Sequence, residues 1–141
     1  MLKYIAYVSR QSFILSEEEI TNLLVNCRVN NSRNNISGML LYFDGTFVQY
    51  LEGPKEQVET LFQKISKDKR HHEVVTLMEG DAKQREFEDW SMAYKQITAS
   101  EVEKITGRRD FKKEDLFKGK NPESEHPGIV LLRSFVNNLH I

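Results

Sequence analysis

The sequence has one cysteine, Cys27, in 141 residues. That excludes an internal disulfide framework and any multi-cysteine zinc or iron–sulfur centre. No apolar run approaches the roughly 18 residues that a membrane span needs. The start, MLKYIAYVSR, lacks the long apolar stretch and the small-residue cleavage site of a secretory signal. A reducing, cytoplasmic setting with no membrane partner is therefore expected. Charge of one sign is also missing: Lys plus Arg is 20 against 21 for Asp plus Glu, a formal net charge of -1. A dedicated phosphate-backbone binder usually shows a basic excess, so nucleic acid is not an expected partner. No P-loop, G-x-G-x-x-G, G-x-S-x-G or paired-carboxylate motif is visible. What is present is a 39% hydrophobic, 29% charged chain with only 3 prolines and 7 glycines. Its length and composition fit one soluble globular domain, mostly regular in structure.

The order of elements follows from periodicity. Residues 2–9, LKYIAYVS, read as a strand, apolar on both faces and so central in a sheet. Ser16 opens a helix, with Glu19 completing an S-x-x-E capping box. Ile20, Leu23, Leu24 and Cys27 share one face of it, and the helix is expected to end near Asn30–Asn31. Ile36 to Phe43 and Thr46 to Glu52 form two strands joined by Asp44–Gly45, a two-residue hairpin signal. Gly53–Pro54 starts a second helix, with Val58, Leu61, Phe62 and Ile65 as its stripe and KDKRHH as its basic end. Residues 73–79 read as a fourth strand, GDAKQRE as a polar link, and Phe87 to Tyr94 as a fifth strand. This β-α-β-β-α-β order, plus one strand, is the split βαβ or ferredoxin-like arrangement. A short helix over Ser100 to Ile105 ends at Gly107, and an amphipathic helix spans Ile129 to Leu139. The expected architecture is α+β: a five-stranded mixed sheet, two helices on one face and two C-terminal helices capping the other.

Sites tend to lie where local rules fail. Gln49 breaks the apolar run FVQYL, between Phe47 and Leu51 on its own face. Leaving a buried amide group unpaired costs about 1–3 kcal/mol, so Gln49 needs polar partners inside the fold. An edge-on glutamine meeting backbone or water is the simpler reading. Tyr7 lies mid-strand and, in this topology, beside the third strand; its hydroxyl would suit that amide, although tyrosine in a strand is commonly core packing. Asn30 and Asn31 suit either helix capping or contact with a heterocycle edge. Trp90 and Met92 share one strand face, a pattern more often core than cofactor site. Cys27 reads most simply as a small buried apolar residue. His71–His72 have no third ligand nearby in sequence, so no metal is expected.

Four linked segments, YIAYVSR, NNSRNNISGMLLYFDGTFVQYLEGP, KDKRHH and FEDWSMAY, together resemble the BLUF family, blue-light sensors that use flavin. The resemblance covers residues 2 to about 97 and matches the short type, in which only two helices follow the sensor. It implies a flavin-binding unit over residues 1–97 and a helical extension over 98–141 packing on the sheet. It places Tyr7 at the photoactive tyrosine and Gln49 at the switching glutamine. Asn31, seven residues before Gly38, stands at the asparagine that holds the polar ring edge, with Asn30 beside it. Ile36 and Phe47 fall where residues line the ring. Lys64, at a position where arginine is common, and Asp68 fall near the ribityl–phosphate tail. Trp90 and Met92 stand at the two signal-relay positions.

The resemblance further implies light-driven electron and proton transfer from Tyr7 to a noncovalent flavin, FAD or FMN. Rearrangement of Gln49 then shifts absorption to the red and signals to a downstream protein or across a homo-oligomer interface. A non-enzymatic photoreceptor is the expectation. Two other classes stay open: a flavin-dependent redox enzyme, which would turn over substrate in the dark, and a flavin-free ferredoxin-like binding module, an RNA binder included. Against the last, the aromatic–glycine strand signature of the common RNA-recognition sheet is missing.

Overall fold

The structure is a computed structural model that describes residues 1–12, 15–69, 71–85, 87, 92–107 and 129–134. Strand β1 (Leu2–Gln11) is followed by helix α1 (Glu17–Arg33), strands β2 (Ser37–Phe43) and β3 (Thr46–Pro54), helix α2 (Lys55–Lys67), strands β4 (His71–Ala82) and β5 (Ala93–Gln96), and helix α3 (Ala99–Thr106). Residues 129–134 are also helical. The sheet order is β4-β1-β3-β2-β5. Strand β1 runs antiparallel to both neighbours, whereas β5 joins β2 in parallel. The sheet is thus mixed, with β1 inside it as its two apolar faces required.

Alternate residues of each strand feed two separate cores. Ile5, Tyr7, Leu40, Phe47 and Leu51 face α1 and α2, where Leu24 and Val58 complete the cluster. Ala6, Val8, Met39, Leu41 and Val48 face the other way and pack with Val102 of α3 and Leu131 and Leu132. The two faces are therefore covered as the sequence pattern predicts, one by the main helices and one by the later helical segments.

Local chemistry fixes the element ends. Ser16 caps α1, its hydroxyl accepting from the Glu19 amide at 3.1 Å while the Ser16 amide donates to the Glu19 carboxylate at 3.2 Å. The helix runs beyond the expected end at Asn30–Asn31. Both carbonyls there accept bonds, from the Asn34 amide at 3.2 Å each and, for Asn31, also from the Ile36 amide at 2.8 Å. The chain then leaves through Asn35 at φ 58°, a left-handed position that asparagine tolerates. Asn30 and Asn31 consequently lie inside the last turn rather than beyond it. Asp44 and Gly45, at φ 45° and 75°, form the tight turn between β2 and β3.

Strand β4 is longer than the expected 73–79, because β1 supplies partners from Leu2↔Ala82 to Gln11↔His71. Two register shifts absorb its irregular spacing, one of them around Glu73 at φ 51°. The two histidines thus belong to a strand rather than to the end of α2. Strand β5 starts later than expected, at Ala93; Trp90 lies outside the described residues, as does the expected helix beyond residue 134. Thr98 and Glu101 form a second capping box on α3, and Gly107 at φ 71° ends it.

One glycine is dictated by close approach. A Cβ at Gly38 would lie 2.0 Å from the Tyr50 carbonyl oxygen in the adjacent strand. Backbone cannot yield that far without breaking the β2–β3 ladder. Gly38→Ala is expected to destabilise the fold by about 3 kcal/mol or more, at or above the usual overpacking range, measured as a lowered denaturant midpoint with unchanged slope.

Candidate functional site

Tyr7 and Gln49 are direct cross-strand partners in the β1–β3 ladder. Opposed residues in an antiparallel pair project from the same face, so both side chains point towards α1 and α2. Tyr7 is 3% exposed and Gln49 5%. The Tyr7 hydroxyl donates to Gln49 Oε1, which supplies the polar partner that the buried amide demanded. The other end of the carboxamide, Nε2, donates to Met92 Sδ at 3.5 Å. Phe62 from α2 meets the Tyr7 ring edge-on, with centroids 5.4 Å apart, and so fixes its plane. Burial, with smaller contributions from the Cys27 thiol and the Asp68 carboxylate, pushes the Tyr7 phenol well above its usual pKa. Tyr7 therefore holds its proton at any ordinary pH and stands as a donor.

The pair forms one wall of a cavity of about 390 Å³ between the sheet and the two helices. Leu40 and Phe47 extend the sheet wall. Leu23, Asn26, Cys27, Asn30 and Asn31 form the α1 wall. Lys64 and Ile65 of α2, Asp68 at its C-cap and His71 of β4 also line the cavity. Over its 17 residues α1 buries only Leu24 and Asn31, so its inner face borders the cavity instead of packing onto the sheet. A larger cavity of about 510 Å³ lies on the opposite face, beside the stacked rings of Tyr4 and Tyr50. The smaller cavity is the candidate site despite its size, because the buried, mutually bonded Tyr7 and Gln49 stand in its wall.

Of the residues singled out in the sequence, Tyr7, Asn30, Asn31, Phe47, Gln49, Lys64 and Asp68 all line this cavity. Met92, 2% exposed, lies against the Gln49 amide. Ile36 does not line it; its side chain is buried in the core cluster, close against Gly53. Sequence reasoning missed Asn26, and it took Cys27 only as core. The available signal was the run Leu23, Asn26, Cys27, Asn30, whose spacing puts all four on one helix face. It also missed His71, which bridges the Ser9 hydroxyl at 2.9 Å and the Ile65 carbonyl.

A second polar network roots the connection between β4 and β5. The fully buried Glu52 carboxylate accepts from the Phe87 amide at 2.7 Å and from the Ser37 hydroxyl at 2.8 Å. Arg85 adds bonds to the Ser37 hydroxyl at 3.0 Å and the Asn35 carbonyl at 2.6 Å. At the other root, Arg28 Nε of α1 donates to the Met92 carbonyl at 3.0 Å.

A ferredoxin-like sheet with a phenol–carboxamide pair at the wall of a ligand-sized cavity marks an α+β domain built to hold a small molecule. The family model for BLUF, sensors of blue light using FAD, matches residues 2–93. The chain belongs to the BLUF family, and so to the blue-light sensors that bind flavin. In structure it is similar to BlrB, a BLUF protein in its dark state, with 31% identity, a TM-score of 0.76 and coverage of 97% of this chain and 96% of that one. In sequence it is 40% identical over 73 residues to the alpha subunit of the photoactivated adenylate cyclase of Euglena gracilis, covering 52% of this chain and 7% of the relative. It is 34% identical over 80 residues to the blue light- and temperature-regulated antirepressor BluF of Escherichia coli, covering 55% of this chain and 20% of the relative. The chain thus spans only a small part of these curated relatives.

The cavity suits a flavin on the chain's own chemistry. Its volume lies in the range of roughly 300–1,000 Å³ typical of small-molecule sites. Its lining combines apolar side chains such as Leu23, Leu40, Phe47 and Leu61 with the amides of Asn26, Asn30, Asn31 and Gln49 and the amine of Lys64. Among the described residues no helix is long and apolar enough to cross a membrane.

Proposed function

We propose that Tyr7 and Gln49 are the photoactive pair of this sensor, and that Asn30, Asn31, Phe47, Lys64 and Asp68 hold the flavin. The observation that carries this reading is the Tyr7–Gln49 hydrogen bond at the cavity wall. When bound, a flavin would supply the blue absorption and one-electron redox chemistry beside Tyr7. Tyr7 gives the electron, and its hydroxyl then becomes a strong acid. The proton leaves along the existing bond to Gln49 Oε1, so no group has to move first. When the electron returns, the protonated carboxamide gives a proton back to Tyr7, from oxygen or from nitrogen, and is left rotated or tautomerised. Its Nε2 then no longer serves Met92 Sδ. The rearranged carboxamide would present a different set of donors and acceptors at the cavity wall, which would read as a red shift of a flavin held there. An absorption spectrum of the purified, flavin-loaded protein before and after blue light tests this: a red shift that reverses in the dark is expected, and its absence would overturn the reading.

Asn31 is the one site residue of α1 that is buried, and an amide offers both donor and acceptor to a ring edge. Asn31→Ala leaves the helix backbone intact and removes those groups. It is expected to weaken flavin binding by roughly ten- to a hundredfold, the equivalent of about 1–3 kcal/mol for lost buried hydrogen bonds. A flavin titration followed by fluorescence quenching measures it.

Residues 1–97 are taken as the sensor unit and 98–141 as a helical extension over the second face. The output is assigned to contact with a partner protein or a second copy of the chain in the cytoplasm, not to turnover of a substrate. Light acts only through the difference in free energy between two arrangements. The parts that differ on this reading are Gln49, Met92 and the short edge strand β5.

A further inference from the structure

We propose that Arg28 is a positioning residue that carries the displacement of Met92 into α1. This rests on the Gln49 rearrangement proposed above. Met92 is held in two ways. Its side chain meets the Gln49 amide, and its carbonyl accepts from Arg28 Nε at 3.0 Å. That carbonyl lies one residue before the β2–β5 ladder, which starts at Met39↔Ala93. A helix side chain therefore does there what a neighbouring strand would do one residue later. The donor is ionised, which makes such a bond stronger than a neutral one.

The consequence lies in what Arg28 is attached to. It stands on α1 between Cys27 and Val29, and Asn30 and Asn31 follow within the next turn. Cys27, Asn30 and Asn31 all line the cavity. Helix α1 buries few residues against the sheet, so a polar tie weighs more in setting its position than it would for a well-packed helix. The opposite root of the connection is fixed independently, because the Phe87 amide is bound to the buried Glu52. With that end anchored, a shift of Met92 has its outlet at β5 and, through Arg28, in the helix that holds the flavin edge. Helix α1 would then be part of the signalling output as well as the binding site.

The simpler alternative is an exposed arginine that merely satisfies a loop carbonyl. Hydrogen exchange of the flavin-loaded full chain, in the dark and under steady blue light, separates the two. In the wild type, light should change exchange in residues 92–96 and also in residues 24–31. Arg28→Ala should keep the red shift and the change at 92–96 but lose the change at 24–31. Arg28→Lys, which still donates to the carbonyl, should restore it. An unaltered light-dependent change at 24–31 in Arg28→Ala would overturn the proposal. So would a wild type whose α1 never responds while 92–96 does. A wild type without any red shift would overturn the photoactive pair itself, and the spectrum tells that failure apart from the others.

Discussion

Tyr7→Phe should bind flavin and fold, yet lose essentially all of its reversible red shift. The ring and its edge-on contact with Phe62 survive the change, because both belong to the apolar part of the side chain. What goes is the hydroxyl that donates to Gln49 Oε1. Without it no proton is available along that bond, and the amide has no reason to change partners. The folded state should also lose about 1–3 kcal/mol, since Gln49 keeps a buried oxygen with no donor from Tyr7. Dark-minus-light absorption at fixed flavin occupancy measures the first effect and chemical denaturation the second. A full red shift in this variant would remove Tyr7 from the mechanism. A pH series gives a further check. Burial raises the Tyr7 phenol pKa in the folded protein, while the unfolded chain ionises near pH 10. The stability that Tyr7 contributes is therefore complete below about pH 10 and declines as pH rises above it. That alkaline loss should be smaller in Tyr7→Phe.

Gln49→Leu carries the second large effect. Leucine is close to glutamine in size and would sit between Phe47 and Leu51 on an apolar face, so the core can accept it. The substitution removes both ends of the switch at once, the acceptor for Tyr7 and the donor to Met92 Sδ. Electron donation by Tyr7 is not forbidden, but nothing remains to record it as a new hydrogen-bond pattern. The lasting absorption change should vanish, and with it any light-dependent change in hydrogen exchange at residues 92–96. Retention of either one would show that another group does the switching. The Tyr7 hydroxyl loses its acceptor, so a cost of about 1–3 kcal/mol is expected, offset in part by the added apolar burial.

The Tyr7–Gln49 contact is legible in the sequence because it needs only topology. Once β1 and β3 are adjacent and antiparallel, residues near the middle of each must face one another, and a glutamine among Phe47, Val48 and Leu51 has to find a polar partner. The hairpin at Asp44–Gly45 and the capping box at Ser16 were legible for a similar reason: each depends on a few neighbouring residues. The end of α1 was not. Asparagine pairs usually stop helices, but here the side chain and amide of Asn34 take up the carbonyls one turn back and prolong it. Nor was the full length of β4, whose outer residues are recruited by β1 rather than by their own propensity. Arg28–Met92 and Glu52–Phe87 were hidden most deeply. Each joins residues distant in sequence outside any strand ladder or helical turn, so no periodic pattern encodes it.

The pairing of β1 also bears on the order in which the molecule assembles during synthesis. This strand leaves the ribosome ahead of both its partners, which are residues 46–54 on one side and 71–82 on the other. The β2–β3 hairpin closes a loop of only two residues and can form early, whereas β1 must wait in solution with both edges unpaired. A translational pause after β3 but before β4 would leave an apolar ribbon open along one side, a template for unwanted association. Fast elongation through residue 82 would shorten the time for which the strand bearing Tyr7 is open to capture by another polypeptide.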